Sequence, residues 1–299
     1  MSGPFHGVLP ALITPFTDDG GAVDVDGLTA NVERLIGAGV GGLVPGGSTG
    51  EFVTLTNAER RQLVEATIEA AAGRVPVVAG TTALSTRETV ELSAHAEAAG
   101  AAAVMVAPPF YEPLSWRELY AHFAAVAEAI GIPIMYYNLP AATGVRLTAA
   151  QLRELQGAGV TCLKDSGGDA IAATELIQTD GPVLLNGADT LTFAALAAGV
   201  EAVVWGAASV VPEQCVALHR LLVDDGDLAA GRELWTRLWP FVHFLEGQSY
   251  AAAVKTAAGL VGWAAGPVRA PLLPLTEEAK AELTTALERA SAARVGSMA

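Results

Sequence analysis

One alternation limits what this 299-residue chain can fold into. Short apolar runs rich in β-branched residues recur eight times, at residues 7–16, 42–46, 75–80, 102–107, 132–138, 161–165, 182–187 and 202–206. Amphipathic stretches with helical periodicity lie between them, at 25–38, 57–72, 86–98, 115–129 and 148–155. Strands that alternate with helices form parallel sheets, and eight such units in about 220 residues predict an α/β fold, the closed (β/α)8 TIM barrel.

The last quarter of the chain has a different pattern. From residue 224 onward the strand-like runs disappear, and the remaining periodicity is helical. We therefore predict a catalytic barrel over residues 1–223 and a C-terminal helical extension over residues 224–299. No low-complexity linker separates the two parts, so we expect the extension to pack on the barrel as an appendage.

Composition and charge exclude several classes of function. The net charge of −15 argues against nucleic acid as a partner, because nucleic acid requires a cationic surface. No apolar run reaches the ~20 residues that span a bilayer, and the N-terminus lacks the basic region of a signal peptide, so we expect a cytoplasmic protein without membrane contact. The five histidines are scattered without the spacing of a metal site, and we predict neither a metal nor an organic cofactor.

One lysine stands at the end of an apolar strand, in the sequence GVTCLKDSGG. The reacting groups of a (β/α)8 barrel collect at the C-terminal ends of its strands. A lysine is nucleophilic only as the free amine, and burial among apolar side chains favours that form. Lys164 is therefore either a nucleophile or a structural cation paired with an acid such as Asp165, and the residues alone leave both interpretations open.

Other predicted strand ends also contain reactive or binding groups. The second ends in GGSTGE, whose glycines and outward amides suit a carboxylate, although Ser48 and Thr49 are also ordinary helix N-cap residues. The fifth ends in MYYNLP, where strand alternation predicts that Tyr137 and Tyr136 face opposite sides of the sheet. The seventh is followed by NGADT, which contains Asp189.

Four motifs in this order, GGSTGE, PPFYEPLSW, YYNLPAATG and CLKDSGG, resemble those of the pyruvate-dependent class I aldolases, the family of dihydrodipicolinate synthase and N-acetylneuraminate lyase. The resemblance covers nearly the whole chain. It implies a lyase that forms a Schiff base between Lys164 and pyruvate or another 2-keto acid, and that cleaves or forms a carbon–carbon bond with an aldehyde as the other partner. It also implies a homotetramer arranged as a dimer of dimers.

The resemblance assigns roles to individual residues. Lys164 matches the Schiff-base lysine, and Tyr137 matches the tyrosine that exchanges protons with the substrate. Ser48 and Thr49 match the pair that binds the pyruvate carboxylate and relays protons. Tyr111 matches a tyrosine that reaches the neighbouring subunit's site and completes the relay. The residues expected to bind substrate are Gly47, Ser48, Thr49, Gly187, Asp189 and Val204.

Two departures from the family pattern concern the second substrate. Dihydrodipicolinate synthases have an arginine two residues after the proline of their YN-x-P motif, which binds a carboxylate, whereas here Pro140 is followed by Ala141 and Ala142. Neuraminate lyases have G-Y-D-E after the seventh strand, whereas this chain has GADT, which keeps Asp189 but not the glutamate. We therefore expect a 2-keto-3-deoxy sugar-acid-like substrate, with an uncharged or hydroxylated aldehyde portion.

Three alternatives stay open. The first is 4-hydroxy-tetrahydrodipicolinate synthase activity, with another residue in place of the missing arginine. The second is a dehydratase or deaminase of the same family, which would use the same lysine without releasing pyruvate. The third belongs to another class, a non-catalytic metabolite sensor, although a protein that only binds a metabolite needs no activated amine.

Overall fold

A curled, fully parallel sheet forms the centre of the computed structural model, which describes residues 5–178 and 180–292. Its seven strands are β1 (Gly7–Pro10), β2 (Val78–Gly80), β3 (Ala103–Val106), β4 (Ile134–Asn138), β5 (Val160–Asp165), β6 (Val183–Asn186) and β7 (Ala202–Trp205). The strand order is β1-β7-β6-β5-β4-β3-β2, so the first and last positions are occupied by β1 and β2.

The gap between β1 and β2 is filled by the predicted strand at residues 42–46, which the structure reduces to two parallel bridges. Val44 bridges Ala11 beyond β1, and Leu43 bridges Val77 before β2. Pro45 has no amide to donate, and Gly46 turns the chain with a φ of +73°. The prediction of a regular strand here was wrong, but the bridges close the sheet and the predicted (β/α)8 barrel is confirmed.

Nine helices precede the C-terminal extension in the described part of the chain: α1 (Val25–Gly37), α2 (Asn57–Ala71), α3 (Thr86–Ala99), α4 (Trp116–Ala129), α5 (Pro140–Thr143), α6 (Ala149–Glu154), α7 (Ala170–Ile177), α8 (Thr192–Ala197) and α9 (Pro212–His219). All five predicted helices are present, with ends within one residue of the prediction. Capping boxes at the starts of α2 and α4 fix these ends, because Thr56 and Ser115 each exchange hydrogen bonds with the glutamate three residues later.

The extension shares its core with the barrel. After a π-helical turn at Arg220–Asp224, the chain forms α10 (Leu228–Glu246), α11 (Tyr250–Leu260) and α12 (Glu277–Ser291). A single apolar cluster contains Leu28 and Leu63 from α1 and α2 together with Phe241 and Val254 from the extension. The predicted division between residues 223 and 224 falls within the π-helical turn. Within the described residues, no helix is both long enough and apolar enough to cross a membrane.

Candidate active site

Lys164 and Tyr137 are neighbours on adjacent strands. The register of β4 and β5 pairs Tyr137 with Lys164. Met135 and Cys162, two residues earlier on the same strands, lie in the cluster that fills the inside of the barrel, so strand alternation directs Tyr137 and Lys164 inward as well. The Lys164 Nζ lies 4.0 Å from the centroid of the Tyr137 ring, and both side chains are buried. An amine and a phenol therefore meet at the C-terminal end of the barrel.

Asp165 does not neutralise Lys164. Its Oδ1 accepts hydrogen bonds from the Asn138 side chain at 2.7 Å and from the Gly167 amide at 3.0 Å. Burial raises the pKa of the Asp165 carboxyl, and the hydrogen bond from Asn138 partly offsets that effect. Within the described residues, Lys164 takes part in no ion pair. The interpretation of Lys164 as a structural cation paired with Asp165 is therefore wrong.

The absence of a side chain at Gly187 makes room for the Lys164 side chain. A Cβ at this position would lie 2.7 Å from both Cγ and Cε of Lys164 and 2.5 Å from the Ser166 hydroxyl oxygen. The Ser166 hydroxyl donates a hydrogen bond to the Gly187 carbonyl at 2.6 Å, which ties the end of β5 to the end of β6. Gly187 thus determines the path of the lysine in addition to lining the cavity.

The loop at residues 46–51 presents two backbone donors. Within the described residues, the amides of Ser48 and Thr49 donate to no protein acceptor. The Thr14 hydroxyl donates to the Gly50 carbonyl at 2.7 Å and supports the loop from β1's side of the barrel. The loop leads into a 3-10 turn at Phe52–Thr54 instead of a full helix. Unpaired amides in a tight loop are a suitable site for a carboxylate.

The C-terminal extension anchors this loop through a buried ion pair. Lys255 on α11 donates to Oε1 of Glu51 at 2.6 Å, and the Arg269 amide donates to Oε2 at 3.0 Å. Burial lowers the pKa of Lys255 to about 8, and the hydrogen bond to Glu51 acts in the opposite direction. Glu51 has a φ of 57°, a left-handed conformation that the ion pair holds in place. Sequence reasoning missed this contact because it joins residues 204 positions apart.

A cavity of about 410 Å³ brings most of the predicted residues together at the barrel mouth. The predicted residues that line it are Ser48, Thr49, Tyr137, Lys164, Gly187, Asp189 and Val204. An adjoining cavity of about 270 Å³ is lined by Gly47 and by apolar side chains that include Phe52 and Phe110. Tyr111 lines neither cavity and is 82% exposed.

Tyr250, a residue that sequence reasoning missed, connects the extension with the cavity. Its hydroxyl donates to Oδ2 of Asp189 at 2.6 Å, and the Ala207 amide donates to the same oxygen at 3.2 Å. Burial raises the pKa of Asp189 to about 7, and the Tyr250 hydrogen bond partly offsets the increase. A Cβ on Gly206 would overlap the Tyr250 ring, so the glycine admits it. Tyr250 lies far along the chain from every predicted strand end, so no pattern in the sequence pointed to it.

A buried lysine amine beside a phenol at the C-terminal face of a (β/α)8 barrel defines a class of protein, the Schiff-base or class I aldolases. Comparison with known proteins gives the family. The Dihydrodipicolinate synthetase family description matches residues 4–290, and the chain belongs to this family. Its members are pyruvate-dependent class I aldolases and lyases, and this chain is an enzyme of that type.

Individual relatives agree with this assignment. A 4-hydroxy-tetrahydrodipicolinate synthase from Methanopyrus kandleri is 40% identical over 294 residues, which are 97% of each chain. One from Sorangium cellulosum is 40% identical over 298 residues, 98% of this chain and 99% of that one. Among solved structures, the chain is similar to YagE from E. coli K12, a prophage protein of the dihydrodipicolinic acid synthase family in complex with pyruvate. The TM-score is 0.91 at 32% identity, and the match covers 96% of this chain and 99% of that chain.

Proposed function

We propose that this enzyme cleaves or forms a carbon–carbon bond in a 2-keto-3-deoxy sugar-acid-like substrate, with Lys164 as the Schiff-base nucleophile. The observation that carries the proposal is the position of the Lys164 amine, which is buried in the cavity beside Tyr137 and has no carboxylate partner within the described residues. An amine in these surroundings is available to attack a carbonyl carbon.

The geometry suits an aldol cleavage in ordinary steps. The Lys164 amine adds to the C2 carbonyl of the keto acid, and loss of water gives a protonated imine. This imine accepts the electron pair of the C3–C4 bond as the hydroxyl on C4 loses its proton, which releases an aldehyde and leaves an enamine. Protonation of the enamine at C3 and addition of water then release pyruvate and restore the amine. Tyr137, beside the nitrogen, is the group placed to move these protons.

The carboxylate of the keto acid is assigned to the loop at residues 46–51. The amides of Ser48 and Thr49 are unpaired within the described residues and lie at the cavity wall with Lys164. These donors supply a local anion site in a protein whose net charge of −15 repels anions at long range. Ser48 lines both cavities, as does Tyr137, and its hydroxyl is proposed as the next position in a proton relay.

The second half of the substrate is proposed to be uncharged. Among the described residues that line the two cavities, Lys164 is the one cation, while Glu51, Asp189 and Glu246 contribute acids. Glu51 is already paired with Lys255, but a second carboxylate would lack a charged partner and would meet the negative charge of Glu246. The Tyr250 and Thr190 hydroxyls, which donate to Asp189 and Glu246, are left with oxygen lone pairs that can accept hydrogen bonds from sugar hydroxyls.

One alternative activity has specific support. The curated relatives at 40% identity are named 4-hydroxy-tetrahydrodipicolinate synthase. That activity in this chain would require a replacement for the arginine, because Ala142 lines the cavity where the family pattern places that side chain. A dehydratase or deaminase would use the same lysine but would release no pyruvate.

Two experiments test the proposal. Borohydride added with pyruvate should leave a reduced three-carbon adduct on Lys164, located by mass spectrometry of peptides, and Lys164→Arg should abolish it. An adduct on Lys255, or none, would refute the Schiff-base role and favour a metabolite sensor.

The second experiment compares pyruvate release from 2-keto-3-deoxy sugar acids with condensation of pyruvate and aspartate semialdehyde. Efficient condensation, or consumption of the keto acid without pyruvate, would refute the proposed substrate class.

A further inference from the structure

Three side chains converge at the N-terminal face of the barrel, at the opposite end from Lys164. His6 directly precedes β1, His219 is the last residue of α9, and Asp224 ends the π-helical turn. Their ligand atoms all lie within 4.8 Å of one another. The His6 Nε2 is 3.4 Å from one carboxylate oxygen of Asp224, and the His219 Nδ1 is 3.9 Å from the other.

The hydrogen bonding of His219 determines which ring nitrogen faces the acid. Its Nε2 lies 2.9 Å from the backbone carbonyl of Glu201, which can only accept, so Nε2 carries a hydrogen. The other ring nitrogen, Nδ1, therefore faces the Asp224 carboxylate at 3.9 Å and is the ring atom that can bind a cation. A cation between the ring and the carboxylate would hold both groups.

The geometry fits a metal ion at that point. Two ligands at about 2.0–2.1 Å from a tetrahedral Zn²⁺ are roughly 3.4 Å apart. His6 and Asp224 match that separation at 3.4 Å, and the three ligand atoms, all within 4.8 Å of one another, need to move inward by about an ångström to complete the set. A backbone carbonyl behind a ligating histidine, like that of Glu201, is the usual support that fixes such a ring. We propose that His6, His219 and Asp224 form a Zn²⁺ site with one coordination position open to solvent.

The ligand types favour a transition metal over Mg²⁺ or Ca²⁺. Two imidazoles and one carboxylate suit Zn²⁺, whereas Mg²⁺ and Ca²⁺ take oxygen ligands. The side chains of His6 and Asp224 are 58% and 48% exposed, so an ion can enter from solvent while the buried His219 provides the fixed ligand.

The position of the site assigns it a structural role. The Glu201 carbonyl accepts a hydrogen bond from the Gly7 amide at 3.0 Å as well as facing His219, so the site lies where the starts of β1 and β7 meet. A metal here would tie the beginning of the barrel to the turn that leads into α10. Features on this face of a (β/α)8 barrel contribute to stability, whereas the reaction takes place at the other face.

The test uses the tag-free full chain after removal of metal with a chelator. Zinc is titrated against a chromophoric competitor, and thermal unfolding is followed with and without zinc. We expect one bound equivalent and a melting temperature raised by a few degrees. His6→Gln and Asp224→Asn should each weaken binding more than ~10-fold, since even the loss of an outer partner has this effect. Both variants alter exposed side chains and should keep full aldolase activity.

The matched control is His95→Gln. The His95 Nε2 lies 3.1 Å from Glu65, which makes a partly buried histidine–acid pair outside the proposed site. This variant should bind zinc like the parent chain. Failure of the folded parent to bind one equivalent would overturn the site, as would binding unaffected by both ligand variants or an equal loss in His95→Gln. Loss of aldolase activity on zinc removal would overturn its purely structural role.

Discussion

At the scale of single residues, Tyr137 and Tyr136 provide a matched pair. Tyr137 faces Lys164 inside the barrel, while Tyr136 packs against Phe123 in the outer cluster, as strand alternation predicted. Tyr137→Phe should slow turnover by ~10²-fold or more, because it removes the proposed proton donor, while some borohydride-trapped adduct remains. Tyr136→Phe makes the same chemical change at a buried hydroxyl that has no hydrogen-bond partner among the described residues, and it should keep near-normal turnover. An equal loss in both variants would contradict the assignment.

Asp189 should make stability depend on pH. Burial raises its pKa in the folded chain to about 7, above the ordinary value near 4. Between about pH 4 and 7 the folded chain holds a proton that the unfolded chain has released, so this stabilising contribution is complete below pH 4 and is lost as the pH rises through 7. Asp189→Asn should remove the dependence on pH. The free energy of unfolding of the variant, relative to that of the parent, should therefore be higher at pH 8 than at pH 5.

Urea unfolding of both chains at these two pH values measures the effect. Tyr250→Phe removes a hydrogen bond that favours the charged carboxylate, so it should move the transition to higher pH. A difference between the parent and Asp189→Asn that stays constant across the pH range would show that Asp189 ionises normally.

The strand-end residues were predictable, but their partners were not. Lys164 and Tyr137 could be identified because the strand pattern places both at the C-terminal face. Tyr250 and Lys255 lie in helices with no strand signature, and they reach the site through contacts that span 61 and 204 residues. His6 and His219 likewise meet only because β1 and β7 are neighbours in the closed sheet.

At the scale of elements, α11 supports the loop at residues 46–51 through Lys255. Lys255→Met should leave the Glu51 carboxylate buried without its ammonium partner, which costs about 3–5 kcal/mol of folding free energy. Because the loop would lose its anchor, the KM for pyruvate should rise more than kcat falls.

Lys280→Met on the exposed side of α12 is the control and should change neither quantity. Urea unfolding and steady-state kinetics measure both effects. A stability loss without any change in KM would assign Lys255 to folding alone and leave the loop without the proposed support.

Element boundaries show where sequence patterns are strong and weak. The helix starts of α2 and α4 were predictable because capping boxes are local in sequence. The strand at residues 42–46 was predicted from its apolar content, but Pro45 and Gly46 limit its pairing to single bridges on each side. This segment closes the barrel by pairing with the chain after β1 on one side and before β2 on the other, and no local sequence pattern encodes these contacts.

At the scale of the whole molecule, the alternation of strands and helices was sufficient to predict the barrel fold. The role of the C-terminal extension could not be predicted from the same pattern. The extension was expected to be an appendage, yet it supplies Tyr250 to the cavity wall and Lys255 to the loop at residues 46–51. The barrel without α11 would lose both groups. The proposed active site therefore depends on residues beyond the predicted barrel segment.

The position of Tyr111 concerns the assembly of several copies of the chain. Tyr111 is 82% exposed and lies outside both cavities, so it cannot serve the site of its own chain in this conformation. We expect it to complete the relay in a partner subunit within a homotetramer. Tyr111→Phe alone should therefore slow turnover, and Lys164→Arg alone should abolish it. Random mixing of the two variants as dimers should restore about a quarter of the parental sites, because one site of each hybrid has both groups. If Tyr111 acts within its own chain, mixing the two variants restores no activity. Full activity of a preparation that analytical sedimentation shows to be monomeric would also refute the shared site.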